Sequence, residues 1–211
     1  MSMAEHKSYN GKVKFGKTDK IKFLAAVLAA TAVFLINPKL ITTEKDKNAP
    51  EINRRLLAWG NTALESPRRI DTIVIHTSYN AWGRDPFDVE GIIRQYKYYE
   101  VAPHFLIDRK GQIHELSPVE NVADHAGRAQ MPDGRKNVND FSIGIELVNK
   151  PDTYMTRDQY DSLAGLIKDL GKKYPIEHIV GHDEITTIDK TDPWNFEWEK
   201  LNYLLYFESG R

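Results

Sequence analysis

The 211-residue chain contains no cysteine. That absence excludes disulfides, thiolate metal ligands, a cysteine nucleophile and a lipidated N-terminal cysteine, so any metal must rest on histidine and carboxylate. A dominant charge is missing too. Lysine and arginine number 29 against 30 aspartates and glutamates, a net charge of −1, and a chain this near neutrality has no bulk field for gripping a phosphate backbone. Nucleic acid is therefore not expected as a partner. Nor is there a long apolar run: residues 23–36, FLAAVLAATAVFLI, give fourteen positions without a charge. As a helix they would span about 21 Å, short of a hydrocarbon core of about 30 Å.

What is present begins with an asymmetry. Lys7, Lys12, Lys14, Lys17, Lys20 and Lys22 face only Glu5 and Asp19 in the tail of residues 1–22, directly before the apolar run. A lysine-rich start and a short apolar core form the pattern of an export signal or a signal anchor, with the positive side kept in the cytoplasm. The one small-x-small site, Ala30-Thr31-Ala32, sits inside the run and is followed by Val33, Phe34, Leu35 and Ile36. We therefore expect residues 23–36 to be an uncleaved apolar helix touching the membrane. That places the chain on the extracytoplasmic side of the cell envelope, anchored or exported, with a cytoplasmic location as the alternative. Residues 37–65 read as a linker with room for a short helix over 51–59, and residues 66–211 as the folded domain.

Within that domain the pattern alternates. Residues 71–76 (DTIVIH) and 141–148 (FSIGIELV) are apolar, β-branched runs that predict buried strands. Val89, Ile92, Ile93 and Tyr96 recur at helical spacing behind Asp88, a suitable N-cap. Residues 104–108 and 112–116 flank Arg109-Lys110-Gly111 as a hairpin. Thr156 and Gln159 make a capping box ahead of Leu163, Leu166, Ile167 and Leu170. Ile179-Val180 predicts a short strand and residues 196–205 a last helix. Strands mixed with helices argue for an α/β fold, a single domain whose mixed central sheet is flanked by helices.

Among the seven histidines, His76 ends the first strand and His182 follows the Ile179-Val180 strand, with Asp192 ten residues further on. Strand ends are where α/β folds build open sites. Two imidazoles and one carboxylate with a fourth position left open make the pattern of a catalytic zinc. On spacing alone the competing reading stands beside it: there is no H-E-x-x-H pair, and a histidine at a strand end is commonly a packed or hydrogen-bonded residue. Glu146, in an alternating strand, is equally free to point to solvent opposite Ile145 and Leu147, and Lys190 to be a surface ion pair.

Six segments in order, TIVIHTS, HFLIDRKGQIHEL, ADHAG, NDFSIGIELVN, IVGHDEI and DKTDP, resemble the zinc-dependent N-acetylmuramoyl-L-alanine amidase family, which also contains amidase-type phage lysozymes and peptidoglycan recognition proteins. The resemblance runs from about residue 70 to 201. It implies a mixed sheet with zinc in a surface groove, and His76, His182 and Asp192 as the ligands of that Zn2+. Many members have cysteine at the third ligand, and this sequence has Asp192. It also implies Glu146 and Lys190 as catalytic residues and His125 as a substrate-binding residue of the groove. Pro103 stands before His104 where some members carry a catalytic tyrosine, so Glu146 and Lys190 are left to act without one.

The activity so implied is zinc-dependent hydrolysis of the amide between N-acetylmuramic acid and L-alanine, on peptidoglycan or a muropeptide, by a monomer. Zinc lowers the pKa of a bound water towards about 7 and polarises the carbonyl. Two alternatives stay open: a non-catalytic peptidoglycan-binding module, and a phage endolysin with the same chemistry. His104 reads as a structural histidine, His114 and His178 as strand-surface residues, and Trp194 as helix packing or groove lining.

Overall fold

The structure is a computed structural model that describes residues 50–188 and 190–206. The tail 1–22 and the apolar run 23–36 lie outside the described residues. Twelve short elements matter to the site: β1 (Ile52–Arg54), β2 (Asn61–Thr62), β3 (Thr72–Ser78), α1 (Val89–Tyr99), β4 (Phe105–Ile107), β5 (Ile113–Glu115), β6 (Val122–Ala123), β7 (Ser142–Val148), α2 (Arg157–Lys173), β8 (His178–Gly181), α3 (His182–Ile185) and α4 (Trp198–Tyr206).

Six strands join in the order β1-β5-β4-β7-β3-β8, while β2 and β6 form a separate antiparallel pair. β3 lies parallel between β7 and β8, and β4 runs parallel to β7 but antiparallel to β5. The sheet is mixed and flanked by helices, as the sequence pattern predicts. Parallel strands covered on both faces lose their polar alternation, which is why TIVIHTS and SIGIELV are buried almost throughout.

The two faces of the sheet do different work. Ile73 and Ile75, with Ile143, Ile145 and Leu147, pack against Leu163, Leu166, Ile167 and Leu170 of α2 and Leu201 and Leu204 of α4. Burying each such side chain is worth about 1.5–3 kcal/mol, so this face carries the stability. The opposite face is divided. Val74 joins Ala126, Met131, Val138 and Ile185 under the irregular segment before β7, and Leu106 and Val148 pack under Ile92, Ile93 and Tyr96 of α1. Strand alternation puts His76, Gly144 and Glu146 on this divided face.

Local signals were obeyed. Asp88 accepts from the backbone N–H groups of Glu90 and Gly91 at the start of α1, Thr156 and Gln159 form the capping box of α2, and Gly111 closes the β4–β5 hairpin at φ +79. One prediction fails. Residues 51–59 form no helix: β1 adds to the sheet edge parallel to β5, and Arg55 and Leu57 donate to the carbonyls of Glu115 and Leu116. With β2 paired to β6, residues 52–62 belong to the folded unit and not to a linker ending at 65. The same edge strand buries His114, expected on the strand surface, beside Asn53 at 3.4 Å.

Candidate active site

Each site residue owes its place to the sheet. His76 sits on β3, and its register partner across the β3–β7 pair is Glu146. β8 ends at Gly181, opposite Ile75, so His182, the next residue, emerges beside His76. Gly181 has to be glycine: a Cβ there would lie 2.4 Å from Asp183 Oδ1 and 2.9 Å from Pro193 Cδ. The chain returns at Asp192, whose carbonyl accepts from the Asp183 N–H at 2.8 Å, and the Trp194 N–H donates to Thr77 Oγ1 at 3.1 Å. These bonds hold the Asp192 carboxyl over the end of β3.

His76, His182 and Asp192 thus converge, all three buried, with one ligand atom from each lying within 4.8 Å of the others. His76 Nδ1 is 3.4 Å from Asp192 Oδ2, and His182 Nδ1 is 3.2 Å from Asp192 Oδ1. The two imidazoles meet edge to face at 4.5 Å. His182 Nε2 lies 3.2 Å from the Ala126 carbonyl, which can only accept, so that nitrogen carries the ring proton and Nδ1 turns a lone pair towards the carboxylate. A lone pair and a carboxylate oxygen face one another across the gap a cation would bridge, so the residues fit a divalent metal with N/O preference.

The electrostatics agree. Burial pushes His76 down to about 4, so the ring is a neutral ligand at pH 7. For Asp192, burial acts upwards, but the close approach of His182 and His76 outweighs it and holds the carboxyl below the usual range.

Glu146 does not point to solvent. It is half-buried, its Oε2 is shut away without a hydrogen-bond partner, and burial, then the charge of Asp192, push it up to about 8, while a hydrogen bond from Ser78 and the charge of Lys190 pull the other way. Ser78 Oγ in turn lies 2.6 Å from Tyr96 Oη on α1. Lys190 is exposed, and its charge acts on both His76 and Glu146. Trp194 stands at 5.9 Å from Tyr79, edge to face.

His125 is half-buried behind His76, with Nδ1 at 3.0 Å from His76 Nε2 and Nε2 at 3.2 Å from Ser142 Oγ. Both ring nitrogens are thus engaged within the protein. His104 is fully buried: its Nδ1 accepts from the Gly144 N–H at 3.0 Å and its Nε2 faces the Asn121 carbonyl at 3.2 Å. Sequence reasoning missed Ser78, Tyr96, Ser142 and Arg68. The last donates to the carbonyls of Val119, Asn139 and Ser142 and braces the segment behind the site. Two of the missed residues left a trace: Ser142 shares the parity of Gly144 and Glu146 on β7, and Ser78 that of His76 on β3.

Residues 66–195 match the family model described as N-acetylmuramoyl-L-alanine amidase. The 1,6-anhydro-N-acetylmuramyl-L-alanine amidase AmpD of Salmonella typhimurium is 36% identical over 130 residues, 60% of this chain and 68% of that protein. A crystal structure of an AmpD derivative superposes with a TM-score of 0.64 at 28% identity, covering 74% of this chain and 94% of the other. The amidase AmiD of Escherichia coli, in complex with anhydro-N-acetylmuramic acid-L-Ala-D-gamma-Glu-L-Lys, gives a TM-score of 0.57 at 27% identity, over 68% of this chain and 60% of that one. The chain belongs to the N-acetylmuramoyl-L-alanine amidase family.

That kinship corrects the expected location. The extracytoplasmic placement does not stand: the cytoplasmic alternative fits the AmpD relatives better. Among the described residues no helix is long and apolar enough to cross a membrane, and the run 23–36 on which membrane attachment rested is outside them.

Proposed function

We propose that this amidase works as a zinc enzyme on soluble muropeptides released during peptidoglycan turnover. The bond hydrolysed is the amide between N-acetylmuramic acid and L-alanine. The observation that carries the reading is the meeting of His76, His182 and Asp192, lone pairs and carboxylate turned to one point, beside the carboxyl of Glu146. His76, His182 and Asp192 would hold the zinc, which when bound supplies an acidified water and a polarised carbonyl.

This chain's own groups do the rest. The positive charge of a bound divalent ion would favour the ionised form of Glu146, which then takes a proton from the attacking water and hands it to the departing nitrogen of L-alanine, a role worth about 10²- to 10⁴-fold in rate. Its elevated proton affinity suits the second half of that task. Lys190 sets a positive charge near the oxyanion that develops on the lactyl carbonyl, an effect on the order of 10²-fold. Burial of Glu146 Oε2 keeps bulk water from that carboxyl.

A soluble 1,6-anhydro substrate is favoured over intact wall by the names of the AmpD relatives and the ligand in the AmiD complex. The test is incubation of the purified chain with anhydro-N-acetylmuramyl tripeptide and, separately, with intact sacculi. Mass spectrometry should show the free tripeptide with a new L-alanine amino terminus, and faster release from the soluble substrate. Binding without cleavage would make it a recognition module, and preferential release from sacculi would favour a lytic role.

A further inference from the structure

We infer that His125 is a positioning residue that fixes the ring proton of His76 on Nε2, and so presents the Nδ1 lone pair of His76 to the metal; this rests on the metal reading above. Four groups in a row settle the direction of every bond. The Val138 carbonyl can only accept, and Ser142 Oγ lies 2.6 Å from it, so the one hydroxyl proton of Ser142 is spent there. Towards His125 Nε2, at 3.2 Å, Ser142 can then only accept, and the proton of the neutral His125 ring is placed on Nε2. His125 Nδ1 is left with a lone pair, and His76 Nε2, 3.0 Å away, has to donate to it. The His76 proton is thereby held on the nitrogen facing away from Asp192.

The row is fixed at both ends. Ser142 is fully buried at the start of β7. The loop carrying His125 is tied down by Asn139, whose Oδ1 accepts from the Ala126 N–H at 2.9 Å and from the His125 N–H at 3.4 Å. Gly144 leaves the room for the ring: a Cβ there would stand 2.4 Å from His125 Cγ. His182 is set the same way by a different acceptor, the Ala126 carbonyl at 3.2 Å. The two ligand histidines are thus oriented by adjacent residues of one loop, and partners of this kind typically change metal affinity by about 10- to 100-fold when lost.

The test uses the purified full chain and its His125→Leu, His125→Asn and Ser142→Ala variants, each confirmed folded by circular dichroism. Zinc affinity is read by competition with a chromophoric chelator, and the His76 tautomer by two-bond 15N–1H correlations in the zinc-free protein. His125→Leu should weaken zinc about 10- to 100-fold, while His125→Asn, whose amide oxygen stands near the place of Nδ1, should stay within roughly threefold of wild type. In the wild type His76 should be protonated on Nε2 alone, and in His125→Leu on a mixture of both nitrogens. Should His125→Leu not fold, Ser142→Ala, which frees the His125 proton to move to Nδ1, should show the same mixture. Wild-type zinc affinity together with an unchanged His76 tautomer in the folded variants overturns the inference. A wild type that takes up no zinc overturns the metal reading, and the tautomer measurement still decides the role of His125.

Discussion

His76 and Glu146 are register partners on adjacent parallel strands, so an imidazole and a carboxyl leave the same face of the sheet side by side. Paired strands set that separation, and no loop has to close for the two groups to meet. The Glu146 carboxyl is held in a dry wall between Ser78 and the register neighbour Leu106 on β4. Replacing it by glutamine keeps the shape and removes the proposed base. Glu146→Gln should lower turnover of the muramyl amide by about 10²- to 10⁴-fold with zinc content unchanged, as read by metal analysis beside a chromatographic assay. Turnover within a fewfold of wild type would take Glu146 out of the reaction.

Lys190 is exposed and contributes charge instead of packing. Lys190→Ala should reduce kcat on the order of 10²-fold, with KM changing far less, since the oxyanion exists only in the transition state. A rise in KM at constant kcat would assign Lys190 to substrate binding.

The metal-free protein should be most stable near pH 6.5. Burial holds His76 at about 4 and His104 at about 3, and keeps His125 well below its ordinary value. All three are neutral when folded but take up protons in the unfolded chain below about 6.5. The stability they confer is therefore complete above 6.5 and lost as pH falls towards 4 and 3. Glu146 acts in the opposite direction. Raised to about 8 mainly by burial, it favours the folded state increasingly as pH falls through 8. Three histidines against that carboxyl give a net loss below 6.5. Chemical denaturation at pH 8.5, 6.5 and 5 checks this, and stability that rises steadily down to pH 5 would contradict it.

Gly144→Ala should disturb the site from behind. The added methyl would press on the His125 ring at 2.4 Å, and overpacking of this kind costs about 1–3 kcal/mol. Thermal unfolding should show the loss together with weaker zinc binding. A variant with wild-type melting and zinc uptake would mean that the ring has room to withdraw.

Much of this fold was legible because its elements carry their own signals. Asp88, the Thr156–Gln159 box and Gly111 mark ends and turns within a few residues of chain, and the β-branched runs of β3 and β7 announce burial. The strand over 52–54 was not legible. EINRRLLAW alternates poorly, and what makes it a strand is the free edge of β5 alongside it. The convergence of His76, His182 and Asp192 was visible only through the resemblance to a family, since nothing in their spacing says that β8 lies next to β3. The burial of His114 beside Asn53 and the approach of His125 to His76 join residues 61 and 49 positions apart, and these leave no mark in local pattern.

The most direct measurement is turnover of anhydro-N-acetylmuramyl tripeptide by the full chain before chelation, after removal of metal, and after return of one equivalent of zinc, with Asp192→Ala treated in parallel. The account predicts activity that vanishes with the metal and returns with stoichiometric zinc in the wild type alone. Undiminished hydrolysis by metal-free protein, or full rescue of Asp192→Ala by one equivalent of zinc, would contradict it.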